Sequence, residues 1–312
     1  MKNNGIPSYY VKLYSGALII VVFSSFFWTS FYTVFAYIGI IIPIWILVYL
    51  PKKDLQGFIV TFLLLQVLLC LWEYSTQTYL YEGLALRMGD RVSLSFEELS
   101  GNVLRAKGTF IGPLSLSNFA LGFSFLFSRN NKILFLTLML SLLSNSRLSL
   151  LVAALLFLIN NFSVRNIINL AVLCLVFTIL VESYIDASGL SRILDVFNFS
   201  SNNHVMRLYF MMSGLLHYQD YDVFRWVFGD SGSLLLATGN NAENGWITLL
   251  CEFGIIGFLF YFTMWLWRFS VADKKKMFVL FLLFLVMFSQ TFYLSMIGPI
   301  IYWLPILNYE QN

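Results

Sequence analysis

Charged residues are absent from long stretches of this chain. None occurs in 13–51, 55–72, 108–128, 133–146, 148–164, 166–181, 253–267 or 277–309. A bilayer-spanning helix needs about 20 mostly apolar residues, with about 17–25 the usual range. The first and last runs are long enough for two passes each, and the shorter ones gain length from flanking side chains that snorkel. No run alternates apolar and polar residues as a lipid-facing barrel strand does. The pattern predicts spans near 13–28, 32–50, 56–72, 109–128, 132–145, 147–163, 166–183, 244–267 and 277–294, with a short one at 297–308. The expected fold is an all-α polytopic integral membrane protein of nine or ten transmembrane helices. Residues 1–312 form a single membrane domain, with external loops at 73–108 and 184–243 that hold amphipathic helices.

Composition agrees with this reading. The 312 residues are 59% hydrophobic and 18% aromatic but only 11% charged, whereas soluble domains carry about 25% charged residues. Lys2 and Lys12 precede the first apolar run without a small-residue cleavage site, so the N-terminus is expected to be an anchor. Cys70, Cys174 and Cys251 fall in expected spans without metal-ligand spacing, and read as small core residues.

Charge placement sets the expected orientation. With the N-terminus in the cytoplasm, the inner segments 1–12, 51–55, 129–132, 164–166 and 268–276 are all basic, as the positive-inside rule requires. They hold eight lysines and three arginines. The outer segments hold seven arginines, Arg87, Arg91, Arg105, Arg147, Arg192, Arg207 and Arg225, and one lysine, Lys107. Arginine is favoured where forked hydrogen bonding to phosphate or carboxylate matters. The outer face is thus expected to bind an anion. The bland reading is pairing with outer carboxylates, among them Glu73, Asp222, Asp230 and Glu243.

Four outer stretches draw attention. In 73–108, Ser95-Phe96-Glu97-Glu98 has the form of a helix N-cap, and Arg105 and Lys107 stand at the mouth of the next span. In "LLSNSRLSLL", Arg147 sits between two spans with no acidic residue near it in sequence. In "HVMRLYFMMSGLL", apolar residues at 205, 208, 212 and 215 have a helical period and would rest on the bilayer or the bundle. His204 and Arg207 share the other side of that helix. Gly229-Asp230-Ser231-Gly232 resembles a protease nucleophile motif only locally, and reads as a tight turn. Finally, "NNAENGWITLLCEFGIIGFLFYF" offers Glu243 or Asn244 as a helix cap. Glu252 lies about 12 Å further along at 1.5 Å per residue. An acid at that depth costs about 2.5–3.5 kcal/mol on insertion scales, so it should face the bundle and find a partner. Gly254 and Gly257 are expected to allow close helix packing.

These stretches together resemble the O-antigen polymerase and O-antigen ligase family. "RAKGTFIGPLSLSNFA", "SNSRLSLLVAALL", "HVMRLYFMMSGLL…VFGDSGS" and "ENGWITLLCEFGIIGFLFYF" follow the family's order across about residues 73–268. Ligases usually carry a His-Asn pair where this chain has Glu243-Asn244, which favours a polymerase. The resemblance implies a metal-independent glycosyltransferase of the bacterial inner membrane, with no cofactor. It would act in lipopolysaccharide, capsule or exopolysaccharide biosynthesis in the cell envelope. It would move a growing glycan from undecaprenyl diphosphate, or another polyprenyl diphosphate, to the next lipid-linked repeat unit on the external face. Arg147 and Arg207 would clamp the diphosphate, Glu243 would act as base with His204 as second candidate, and Arg105 would hold a second lipid phosphate. Asn244 and Glu252 join Arg105 and His204 as expected substrate contacts. Expected partners are membrane lipid, the lipid-linked oligosaccharide, a flippase and a chain-length regulator, with no nucleic acid. The rival readings are an O-antigen ligase and a lipid-linked oligosaccharide flippase.

Overall fold

The structure, a computed structural model, describes residues 16, 19, 52–80, 86–88, 91–93, 99–100, 103–110, 112–160, 202–239, 242–272 and 274–288. The expected spans at 13–28, 32–50, 166–183 and 297–308 lie wholly or almost wholly outside these residues. The chain divides into two compact units, one of residues 50–205 and one of residues 1–49 with 206–312. Each is taken by itself.

In the first unit, helix α1 (Lys52–Thr76) is followed by four short strands, then by α2 (Pro113–Leu126), α3 (Asn131–Leu143) and α4 (Arg147–Asn160). Helix α3 packs on α1, α2 and α4. Local chemistry sets the helix starts. Pro113 stands in the first turn of α2, where its missing N–H costs nothing. Asn130 caps α3, its side chain accepting the amides of Lys132 and Ile133 at 3.0 and 3.3 Å. The contact between α2 and α3 is accompanied by buried Leu121 on α2 and buried Ile133 and Leu134 on α3. It also holds a buried hydroxyl pair, Ser124 Oγ donating to Thr137 Oγ1 at 2.7 Å.

Two expectations change in this unit. The described part of 86–104 is extended rather than amphipathic helix. Strands β1 (Leu86–Met88) and β2 (Arg91–Ser93) pair antiparallel, as do β3 (Leu99–Ser100) and β4 (Val103–Leu104). In sequence, Gly89-Asp90 and Gly101-Asn102 separate the paired strands, and such dipeptides favour two-residue hairpin connections. The proposed cap at 95–98 lies outside the described residues. Helix length is the second change. Among the described residues one helix, Asp54–Thr76, is long and apolar enough by itself to cross a membrane. Helices α2 and α3 have 14 and 13 residues, and α4 has 14 among the described residues. At 1.5 Å per residue each reaches only about 20 Å.

The second unit contains α5 (Asn202–Gln219) from Met206 onward, α6 (Val223–Phe228), α7 (Ser233–Thr238), α8 (Gly245–Val271) and α9 (Lys274–Met287). The expected amphipathic helix is therefore present as α5. Asn244 starts α8, accepting the amides of Trp246 and Ile247 at 3.0 and 3.1 Å. Trp246 then packs among Phe258, Phe262, Phe284 and Phe288. Trp265 joins α8 to α9 by donating its indole N–H to the Leu280 carbonyl at 3.2 Å.

Helix α8 is not continuous. Gly254 has φ 65° and ψ −168°, a region essentially closed to residues with a side chain. The expectation that Gly254 simply lets two regular helices approach is corrected: it breaks the helix, two residues after Glu252.

Candidate functional site

The break in α8 is filled by backbone from the Phe228–Ser233 turn. A β-carbon on Gly254 would collide with the Val227 carbonyl, and one on Gly229 would collide with the peptide joining Glu252 to Phe253. The Asp230 amide donates to the Cys251 carbonyl at 2.8 Å. Gly229 and Gly232 have φ 77° and 83°, so this is the tight turn that the glycines suggested.

Glu252 lies at the bottom of this interlock and is buried. Its carboxylate accepts the Ser231 hydroxyl and, at 3.3 Å, the Gly232 amide. The partner expected for Glu252 is thus found in the turn, as a hydroxyl and a peptide N–H. Asn244 is also buried. Its carbonyl oxygen caps α8, and its amide nitrogen donates to the Phe288 carbonyl at 3.1 Å. Both residues were expected to contact substrate, and the structure gives both a task inside the protein.

Around the interlock lies a polar group that the sequence reading left unconnected. Tyr221 donates to the Cys251 carbonyl at 3.2 Å and shares a 2.6 Å hydrogen bond with Ser233. His217 Nε2 meets the same Ser233 hydroxyl at 3.0 Å. Burial pushes the His217 pKa down from its ordinary value, against the attraction of Asp230 and Asp220, and Arg225 pushes the same way as burial. Burial raises the Tyr218 phenol to about 12 and moves the Tyr221 phenol up as well. Arg225 is held by Asp230 at 3.2 Å and by Asp222 at 3.8 Å. It therefore follows the bland reading of paired outer charges.

At the rim of α8 the arrangement is more open. Arg207 Nε on α5 lies 3.4 Å from Glu243 Oε2, with the two side chains 48% and 36% exposed. Glu243 has φ 49°, a left-handed backbone that costs a residue other than glycine about 1–2 kcal/mol. Its neighbours hold it there. Ala242 is buried in the core with Ile247 and Cys251, and Asn244 is fixed as the cap. Gly214 lets α5 come against Ala242 and Ile247, since a β-carbon there would stand 2.7 and 2.9 Å from their side chains. That close approach brings Arg207 to Glu243. The His204 side chain lies outside the described residues.

The first unit holds the other expected residues. Arg105 is buried, its guanidinium donating to the Ser144 carbonyl at 2.9 Å and the Asn145 carbonyl at 3.4 Å. Instead of reaching out to a second phosphate, it ties down the end of α3. Ala106 adds a bond from its amide to the Leu143 carbonyl at 3.1 Å. Asn145 then takes φ 49°, and Arg147 begins α4. The Arg147 side chain lies outside the described ones, but its position does not. An arginine in the first turn adds its charge to the positive end of the helix.

A carboxylate that the sequence reading had counted only as one outer acid organises this region. Glu73 is buried and accepts the amides of Lys107 and Gly108, both at 2.8 Å, and of Leu80 at 3.3 Å. Gln66 clasps Thr109 at both ends, donating to its hydroxyl at 2.9 Å and accepting its amide at 3.1 Å. Lys107 Nζ lies 4.3 Å from the centre of the Tyr79 ring. Burial pushes the Lys107 pKa down, and the Glu73 charge opposes that.

Among the described residues no group of three or more His, Cys, Asp or Glu side chains is placed to hold a metal ion. Cys70 and Cys251 are buried free thiols, and Cys174 lies outside the described residues. No family model, no curated protein and no solved structure matches the chain.

Proposed function

We propose that this chain is a polytopic protein of the bacterial inner membrane that polymerises polysaccharide on the external face. The donor is a glycan on a polyprenyl diphosphate, and the acceptor is the next lipid-linked repeat unit. The observation that carries this reading is the Arg207–Glu243 pair at the rim of α8. It supplies a cation for the diphosphate and a carboxylate for the acceptor hydroxyl, side by side and open to solvent.

The pairing does not exhaust Arg207. An exposed ion pair contributes only about 0.2–1 kcal/mol, so a diphosphate with several negative oxygens displaces Glu243. The displaced carboxylate is then available as base. The acceptor oxygen forms its bond to the anomeric carbon as the bond from that carbon to the diphosphate oxygen breaks. The hydroxyl proton passes to Glu243, and the diphosphate leaves with the electron pair, its charge held by Arg207. Arg147, placed at the head of α4, is a second candidate for phosphate contact.

Complementation of a polymerase-null strain tests the reading, with glycan ladder length as the readout. Restoration of long ladders is expected. Single repeats transferred to the lipid core without restored polymer would favour the ligase reading, and accumulation of repeats on the inner leaflet in a deletion strain would favour the flippase.

A further inference from the structure

Helix α5 carries its apolar residues on the outside. Val205, Leu208, Tyr209 and Met212 are 56%, 60%, 63% and 55% exposed, and Leu216 continues the stripe at 56%. Their spacing is that of one helix face. The opposite face is occupied: Gly214 lies against Ala242 and Ile247, its carbonyl accepts the Cys251 thiol at 3.4 Å, and Tyr218 is in the core. The open face does not end with α5. Val223, Phe224 and Trp226 on α6 are exposed too. Tyr218 ties that short helix back by donating to the Trp226 carbonyl at 2.8 Å, and its ring stacks on the Trp226 ring.

Exposed apolar side chains gathered on two successive helices mark a surface that is seldom left in water. The sequence offered two covers for it, the bundle or the bilayer. Among the described residues of this unit nothing covers the stripe. Several features favour lipid as the second. Leu259 and Leu266 on α8, and Phe281 and Leu285 on α9, are also exposed in this unit, so it carries further apolar surface of the kind that lipid covers. Tyr209 and Trp226 are the residue types that settle at the headgroup level. Arg207 lies on the side of α5 away from the stripe, and Asp220 and Asp222 follow the helix end, so no charge interrupts the stripe.

We infer that α5 and α6 lie flat on the outer leaflet, with Val205, Leu208, Met212, Leu216 and Phe224 sunk among the acyl chains. An interfacial helix of this kind is buried about 5–10 Å into the boundary between headgroups and chains. This rests on the membrane part of the proposed function and adds a location to it. This part of the external loop does not project into the periplasm. It holds the Arg207–Glu243 pair at the depth of lipid phosphates, where a diphosphate carried on a polyprenyl chain resides.

The test is site-directed spin labelling of the full chain in lipid nanodiscs. Single cysteines replace Val205, Leu208, Met212 and Leu216 in turn, with Leu65, exposed on α1, as reference. Labels are read for collision with oxygen, which partitions into lipid, and with a water-soluble nickel chelate. The native cysteines are replaced by alanine. If that background fails to fold, the native chain is used and its own labelling subtracted, since Cys70 and Cys251 are buried. The expected result is oxygen collision well above nickel collision at all four positions, at one common depth. A spanning helix would instead show a graded depth, changing by about 16 Å from 205 to 216, and that overturns the inference. Nickel collision dominating at the four positions overturns it, as does protection from both reagents, which means a protein covers the face. Failure of the membrane reading itself is distinct, because Leu65→Cys would then also read as aqueous.

Discussion

The backbone of Gly229 stands in the space that a side chain on Gly254 would need. The Gly229 amide lies 2.6 Å from where a β-carbon on Gly254 would stand, and Gly254 has a backbone open to glycine alone. One glycine opens a break in α8, and the other lets a turn enter it.

Alanine at either glycine should therefore cost more than a helix glycine normally does. For Gly254→Ala or Gly229→Ala we expect at least the 1–3 kcal/mol of backbone strain, with the collision added. Thermal unfolding in detergent would show a lowered Tm and reduced yield. Gly57→Ala is the control: it sits inside α1 with nothing within 4 Å of its added β-carbon. It should be neutral or stabilise by about 0.5–1 kcal/mol. Equal losses at Gly57 and Gly254 would contradict the interlock.

Glu243 separates stability from activity. Glycine there relieves the left-handed backbone, so Glu243→Gly should fold at least as well as the native chain. Both it and Glu243→Gln should lower polymer formation by about 10²–10⁴, the range for a lost general base. A Glu243→Gln protein with full activity would remove this residue from the chemistry.

Arg207→Ala should lower transfer by about 10²–10³, as loss of one charge-stabilising donor does. Arg207→Lys should recover only part of it, because a point charge does not reproduce the fork. Normal ladder length at normal protein level in Arg207→Ala would discard the clamp. The exposed ion pair adds so little that stability should change by under about 1 kcal/mol.

Ser231→Ala leaves the buried Glu252 carboxylate with one fewer donor. The expected loss is about 1–3 kcal/mol of stability. Combining Ser231→Ala with Glu252→Gln should cost less than the sum of the two single losses, since the partners act as a unit. Additive losses in a double-mutant cycle would show that the hydrogen bond contributes nothing.

His217 makes stability depend on pH in a stated direction. Burial lowers its pKa in the folded chain below the ordinary 6.5, so the unfolded chain binds more protons in the window between the two values. Stability therefore rises with pH through that window and levels off above about 6.5. Below the folded value this contribution is lost. His217→Gln should flatten that part of the stability profile, measured as Tm from pH 5 to 8. An unchanged slope would mean that another group titrates there.

Much of the helical framework was legible in the chain, because apolar runs bounded by charge and caps are local signals. The starts of α2 and α8 at Pro113 and Asn244 can be read from a few residues. So can the period of α5, and the exposure of its stripe agrees with it. The paired strands at 86–104 have a local signal as well, in Gly89-Asp90 and Gly101-Asn102, which the expected helix does not take into account. The partners of single polar residues were not legible. Nothing near Glu73 in sequence shows that it collects amides from Leu80, Lys107 and Gly108. Nor does anything near Arg105 show that its guanidinium closes the end of α3.

The sequence by itself determined where the longer described helices form, how α8 starts and which face of α5 is apolar. It did so because propensity, capping and periodicity act within a few residues of one another. Only the tertiary structure decided that Gly254 breaks α8, that Ser231 rather than an arginine meets Glu252, and that Arg207 reaches Glu243. Those outcomes depend on segments up to 36 residues apart in sequence being brought together by packing, and a carboxylate takes whichever donor the fold places beside it.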